Sequence, residues 1–374
     1  MRICHVITRL IVGGAQENTV ATCTGLRKRG HEVDLVIGPQ TGPEGSLLPQ
    51  AGDVMVIDDL RREPNPWRDV RACGALVRLF RERRYDVVHT HSGKAGILGR
   101  LAARLAGVPV VVHTIHGPSF YPYQNPLGNW LFRWLEQLAA AWTTQFVSVA
   151  DAMTEQYQAA GVAGQFVTIR SGFNLAPYAG VVAAVPAAPV VGKIARLFRL
   201  KGHEFLFEAA PRIVEAVPNV KFLLVGDGIY RERYERWAER LGLRDHFEFA
   251  GLVSPSDIPR YVAQMDVLVH LSLREGLPRT LPQALACGKP VVAFDVDGAR
   301  EVCRDGKTGF LIRPGDTTAL ADAVIRLLQD KALADRMGAR GRELVREQFA
   351  EEKMVEQIDA LYRRLIANGD KERK

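Results

Sequence analysis

Three groups of residues could act on an anionic, hydroxyl-bearing ligand. The first lies in 272–290, SLREGLPRTLPQALACGKP, where Glu275 and Gly276 open a loop leading into a helix, with Pro282 in the tolerated first turn. A carboxylate binds hydroxyls, a glycine lets the backbone come close, and helix-end amides suit phosphate. A carboxylate capping its own helix is the simpler alternative, but it explains neither Gly276 nor the Leu277-Pro278 turn. The second group is Arg196 with Lys201, both inside GKIARLFRLKG at 192–202. A guanidinium takes two oxygens at once and an ammonium is a mobile point charge, so this pair at a strand end suits a diphosphate better than it suits water. Arg199, between them, reads as surface. The third group, Gly13 and Gly14, follows the first strand and opens the first helix, where a phosphate could approach the amides. Asn18 and Thr19 stand where a dinucleotide fingerprint has its third glycine, so a plain strand-to-helix turn explains this pair equally well.

Histidines gather at His89, His91, His113 and His116, each pair at the end of an expected strand. Neither spacing is helical and no chelating carboxylate or cysteine accompanies them, which weighs against zinc. Asp295 and Asp297 spell a DxD pair that could hold a divalent ion through phosphates. With two cations already placed to balance a diphosphate, that pair reads as a turn, and no metal site is assigned.

The elements that must position these residues repeat one architecture twice. Strands are expected at 3–7, 32–37, 54–57, 86–89, 109–113 and 145–149, alternating with helices near 14–29, 67–84, 94–106, 126–141 and 151–160. Residues 177–189, rich in small residues and proline and without charge, read as a linker. Strands then recur at 190–195, 220–225, 246–249, 267–270, 290–294 and 309–312, with helices near 201–216, 229–241, 256–264, 281–287 and 317–329. The alternation predicts an α/β fold of two Rossmann-like doubly wound domains facing across a cleft, 1–176 and 190–349. Helical patterning in 331–366 has no strand after it, so a last helix, near 350–368, is expected to pack back on the first domain.

Composition narrows the classes. The chain has 374 residues, 47% apolar and 24% charged, which is ordinary for a globular protein with two cores. The start, with Arg2, Cys4 and His5, does not read as a signal peptide, and there is no apolar run of membrane-spanning length. Five cysteines without metal-ligand spacing fit a reducing cytoplasm. The net charge of +7 comes with no basic tract interleaved with aromatics, which argues against nucleic acid and leaves a weak attraction to anionic phosphates or lipid head groups.

In the motifs Gly13-Gly14, Arg196 with Lys201, EGLP at 275–278, ACGKPVVA at 286–293 and GKTGFL at 306–311, the chain resembles glycosyltransferase family 4, the retaining enzymes of GT-B fold, nearly end to end. The resemblance implies a nucleotide-sugar co-substrate and no other cofactor. By position, Gly13 and Gly14 would meet the donor diphosphate and Arg196 and Lys201 would neutralise it as it leaves. Glu275 would hold sugar hydroxyls and support the anomeric centre. Gly276, Leu277, Thr280 and Leu281 would supply backbone amides, while Leu252 and Val253 would read the base. His116 would stand beside the transferred sugar, and His91 with Ser92 and Lys94 would face the acceptor. The family usually has a second glutamate at 283; Gln283 can still bond ribose hydroxyls through its amide, without a charge-assisted bond.

The expected activity is therefore transfer of a hexose or N-acetylhexosamine from a nucleoside-diphosphate sugar, UDP-linked by resemblance, to a glycan or lipid-linked acceptor. A nucleotide-sugar 2-epimerase shares the two-domain architecture, and a non-catalytic donor-binding protein is motivated by Gln283 alone. Dense aromatics at 119–134 and eight arginines between Arg61 and Arg84 would suit peripheral contact with a membrane if folded together. The helical spacing of Trp130, Leu131 and Trp134 favours instead a largely core-facing helix.

Overall fold

A computed structural model describes residues 1–39, 45–181 and 188–372. The chain forms two compact units, Met1–Phe173 with Glu351–Lys374, and Asn174–Ala350. The first contains β1 (Arg2–Ile7), α1 (Gly14–Lys28), β2 (Glu32–Ile37), α2 (Leu48–Ala51), β3 (Met55–Val56), α3 (Pro66–Arg83) and β4 (Val87–His91). It continues with α4 (Gly93–Ala106), β5 (Val110–Ile115), α5 (Pro126–Ala140), β6 (Gln145–Ser148), α6 (Asp151–Ala159) and β7 (Phe166–Thr168). The second contains β8 (Val190–Ile194), α7 (His203–Ala216), β9 (Lys221–Val225), α8 (Arg231–Arg240), β10 (Phe247–Gly251), α9 (Ile258–Ala263) and β11 (Val267–His270). It ends with α10 (Thr280–Ala286), β12 (Val291–Phe294), α11 (Ala299–Val302), β13 (Gly309–Ile312), α12 (Thr317–Gln329) and α13 (Lys331–Gln348). The last helix, α14 (Glu351–Glu372), belongs to the first unit.

Both sheets are parallel. The first runs β3-β2-β1-β4-β5-β6-β7 and the second β10-β9-β8-β11-β12-β13. Strand order therefore reverses between β1 and β4 in one unit and between β8 and β11 in the other. Loops leaving the carboxyl ends of those strands diverge at such a point and leave a crevice for ligand. Central strands are buried on both faces: every residue of β4, β5, β11 and β12 is buried, as the apolar runs Val267–Val269 in β11 and Val291–Phe294 in β12 require.

Several boundaries differ from the sequence expectation. β4 runs on to His91, because His91 pairs with Thr114 of β5 and keeps the ladder going past His89. β7, only three residues long, has no detectable period. The helix expected from 201 starts at His203, because Leu200 and Gly202 both have positive φ and turn the chain first. The expected linker begins inside a 3-10 turn of the second unit, Ala176–Tyr178. Tyr178 is buried there, and its carbonyl accepts a bond from Cys287 Sγ at 3.8 Å. Residues 182–187 of that linker lie outside the described residues.

Helix α14 closes the first core. Met354, Val355, Ile358, Leu361 and Tyr362, spaced along one face, are buried with Ile3, Ile7, Leu26 and Val112. Contact with α1 is close: a Cβ on Gly25 would stand 2.5 Å from Val355 Cγ2. On the other side of the sheet α4 packs against both α3 and α5. Inside that layer Arg100 Nη2 meets Glu136 Oε2 at 2.7 Å, with both side chains buried.

The outer face of α5 corrects the expectation of a core-facing helix. Leu127, Trp130, Leu131, Trp134 and Leu138 are all exposed, Trp130 by 62% and Leu127 by 72%. The apolar periodicity is real but marks the outer face, while Glu136, Ala139 and Ala140 are the buried residues of this helix. Trp67 and Val70 of α3 are exposed too, at 79% and 70%.

Candidate functional site

In the second unit, the loops after β8 and β11 meet at the point where strand order reverses. Gly202 makes the approach possible: its φ is 66°, and a Cβ there would lie 1.8 Å from the carbonyl oxygen of Leu271. Leu273 N donates to Leu200 O at 2.9 Å and ties the loops together. Lys201 Nζ then donates to Glu275 Oε1 at 2.6 Å, with both side chains about one-fifth exposed. His270 Nε2, from the end of β11, lies 3.6 Å from the same oxygen, and His270 Nδ1 pairs with Thr280 Oγ1 at 3.2 Å. Burial would raise the Glu275 carboxyl, but Lys201, His270 and the hydroxyl of Ser272 together hold it down at about 2. Glu275 is thus an ionised, oriented acceptor at neutral pH.

The backbone of that loop is held from β12. Asp297 has φ 51°, and its Oδ2 accepts from Glu275 N at 2.6 Å, while Gly298 N donates to Gly276 O at 3.0 Å. Asp295 is engaged by Arg300 through two bonds of 2.9 and 3.1 Å. Both carboxylates of the DxD pair therefore have protein partners, one of them orienting Glu275. Leu277 and Leu281 send buried side chains into the core, so only their backbone is available to a ligand. Gln283 is half-buried on α10. Arg196 is exposed, its guanidinium 5.2 Å from the centre of the Phe198 ring. Leu252, exposed by 59%, and Val253 follow the edge strand β10, which β9 separates from the Lys201–Glu275 contact.

Two buried residues near Glu275 carry no motif. Lys193, on β8, is 1% exposed and its Nζ has no hydrogen-bond partner among the described residues. Burial, together with the Lys201 charge, pushes its amine down to about 7. Burial likewise holds the His270 imidazole at about 3. The one sequence signal for Lys193 is a lysine inside an otherwise apolar strand.

In the first unit Gly13, in extended conformation, caps α1 and Gly14 is its first residue, exposed beyond the end of β1. The strand-order reversal beside it is filled with histidine. His5 pairs in register with His89, and His5, His89 and His91 are buried with ring nitrogens within 4.8 Å of one another. His91 Nε2 lies 2.9 Å from His5 Nδ1, and His91 Nδ1 lies 3.0 Å from His116 Nε2. His91, expected to face an acceptor, is instead enclosed between two imidazoles. His113 points to the opposite face, bonded to Thr90 Oγ1 at 2.9 Å. His5 was missed because a single histidine in an apolar strand carries no spacing; the register with His89 exists only once β1 and β4 are neighbours.

This architecture is the GT-B fold. Sucrose-phosphate synthase from Thermosynechococcus elongatus superposes with a TM-score of 0.85, at 24% identity over 98% of this chain and 99% of that one. Anabaena HepE in complex with UDP and glucose superposes at 0.81, with 23% identity over 96% and 99%. Residues 13–172 match the family described as glycosyl transferase 4-like domain, and residues 182–344 match glycosyl transferases group 1. The chain belongs to this family of glycosyltransferases. It is 28% identical, over 98% of each chain, to UDP-Gal:alpha-D-GlcNAc-diphosphoundecaprenol alpha-1,3-galactosyltransferase of Escherichia coli. It is also 28% identical, over 96% of each, to phosphatidyl-myo-inositol mannosyltransferase of Mycobacterium leprae.

Proposed function

We propose that this glycosyltransferase moves a hexose or N-acetylhexosamine from a UDP-linked donor to a lipid-linked sugar acceptor, with retention at the anomeric carbon, in cell-envelope glycan synthesis. The observation that carries the reading is the Lys201–Glu275 contact at the β8/β11 reversal. An ammonium for the departing diphosphate and an ionised carboxylate for sugar hydroxyls stand side by side there. UDP and a diphosphoundecaprenol-linked sugar come from the E. coli relative's name.

In this reading Lys201 and Arg196 neutralise the leaving diphosphate, whose oxygen takes the proton of the acceptor hydroxyl attacking from the same face. Glu275 steadies the sugar, helped by the amides of Gly276, Leu277, Thr280 and Leu281. Gly13 and Gly14 meet the diphosphate, His116 meets the sugar, Leu252 and Val253 read the base, and Gln283 bonds the ribose. The two basic residues do the work a metal ion would otherwise do.

The aromatic face of α5 supports a peripheral membrane contact at the cytoplasmic face, where a lipid-linked acceptor would be met. Trp and Leu exposed along one helix, with arginine-rich α3 in the same layer, suit the boundary of an anionic bilayer. No helix among the described residues is long and apolar enough to cross a membrane.

The test is a transfer assay with UDP-hexoses and a diphosphoundecaprenol-linked sugar, reading UDP release and product configuration by NMR, with and without EDTA. Retention, indifference to EDTA, and losses of about 10²-fold or more in kcat for Glu275→Ala and Lys201→Ala are expected. Normal turnover in either variant, or an inverted product, would sink the assignment.

A further inference from the structure

The histidines at the β1/β4 reversal form a continuous hydrogen-bonded line that begins on the C-terminal helix. Tyr362 Oη lies 2.5 Å from His89 Nδ1 and 3.4 Å from His5 Nε2. His89 Nε2 reaches Thr114 Oγ1 at 2.6 Å. The line continues from His5 through His91 to His116 by the contacts of 2.9 and 3.0 Å. Tyr362, His5, His89 and His91 are all 1% exposed or less, whereas His116 is half-buried.

We propose that Tyr362, His5 and His91 are positioning residues that lock His116 as its Nε2–H tautomer, with the proton kept off Nδ1. The lock does not depend on the reading that His116 meets the sugar; its effect on sugar transfer does.

Proton bookkeeping supplies the direction. Burial keeps His5, His89 and His91 neutral, each with one N–H and one lone pair. A phenolic O–H is a stronger acid than a neutral imidazole N–H, so Tyr362 donates across its shorter contact, to His89 Nδ1. His89 then carries its proton on Nε2 and donates to Thr114. The phenolic oxygen accepts from His5 Nε2–H, which leaves His5 Nδ1 as an acceptor for His91 Nε2–H. His91 Nδ1 in turn accepts from His116 Nε2–H. Each tautomer follows from the one before it, and the line starts at a residue 246 positions after His116 in the chain.

A metal does not fit the same atoms. Two nitrogens about 2.0–2.1 Å from a tetrahedral zinc would stand roughly 3.3 Å apart. His5 Nδ1 and His91 Nε2 are closer than that, at 2.9 Å, and both nitrogens of His89 are already bonded to Tyr362 and Thr114.

Long-range 1H–15N NMR on the full chain labelled at histidine reads the tautomers directly, without need of substrate. Protonated Nε2 and unprotonated Nδ1 at His116, with no stoichiometric metal by elemental analysis, are expected. A wild-type His116 protonated at Nδ1, or a bound metal ion, overturns the proposal. In Tyr362→Phe the line loses its anchor. Part of the His116 population should move to Nδ1–H, and kcat for sugar transfer should fall by about fivefold, the worth of one hydrogen bond, with KM little changed. An unchanged His116 tautomer in that variant also overturns the lock. If the tautomers are as expected but no nucleotide sugar is consumed, the lock stands and the sugar-transfer reading fails.

Discussion

Lys193 puts an amine in the core of the second unit, beside Lys201 and Glu275, with no hydrogen bond among the described residues to compensate its desolvation. Its folded value near 7 lies below the ordinary 10.5, so between those pH values the unfolded chain binds more protons than the folded one. Stability should therefore rise with pH across that window, reach its full value above it, and be lowest below pH 7. Lys193→Met removes the buried charge and should stabilise the protein by on the order of 1–4 kcal/mol at pH 7. Denaturant melts at pH 7 and pH 10 measure this, and the gain must shrink at the higher pH. A gain independent of pH would show that packing, and not charge, is responsible. Glu275 is the opposite case. It is held low by a cation, so its contribution is complete above the ordinary carboxylate range and is lost only as pH falls towards 2. Of these two residues, only Glu275 announced itself in the sequence, through the glycine, prolines and helix that follow it.

At the scale of elements, α5 shows how a period can be legible while its meaning is not. A stripe of Leu and Trp at helical spacing reports that one face is apolar, and both a core and an interface satisfy that. The structure decides because Glu136, Ala139 and Ala140 occupy the buried side, with Glu136 committed to Arg100. Trp130→Glu with Trp134→Glu places charge on solvent-exposed positions, so the fold should melt as before while binding to anionic phospholipid vesicles falls by about tenfold or more. Co-sedimentation measures it; unchanged vesicle binding would remove α5 from the membrane contact. The loops after β8 and β11 are the counter-example. Their strands and the cations and carboxylate they carry could all be read, and what remained hidden was the contact itself. It depends on Gly202 fitting against Leu271 O, two positions far apart in the chain.

On the whole-molecule scale, the first unit is closed by the end of the chain. Five apolar residues of α14, each worth about 1.5–3 kcal/mol when buried, together contribute on the order of 10 kcal/mol, comparable to the entire stability of a domain. Truncation after Ala350 should therefore unfold Met1–Phe173 while leaving Asn174–Ala350 folded. Limited proteolysis of the truncated chain would show it, with rapid loss of the first unit and survival of the second. Equal resistance of both units would mean that α14 is dispensable.

The amino-acid sequence by itself determined the doubled alternation of strands and helices, the EGLP loop, the Arg196 and Lys201 cations and the family. Local periodicity, glycine and proline placement and short motifs all act within a few residues and so can be read along the chain. Only tertiary structure decided that Lys201 touches Glu275, that α5 turns its tryptophans outward, and that His5, His91 and Tyr362 line up behind His116. Those relations join residues tens to hundreds of positions apart, and they depend on strand order, register and helix rotation, which are set by the packing of the whole core and not by any one segment.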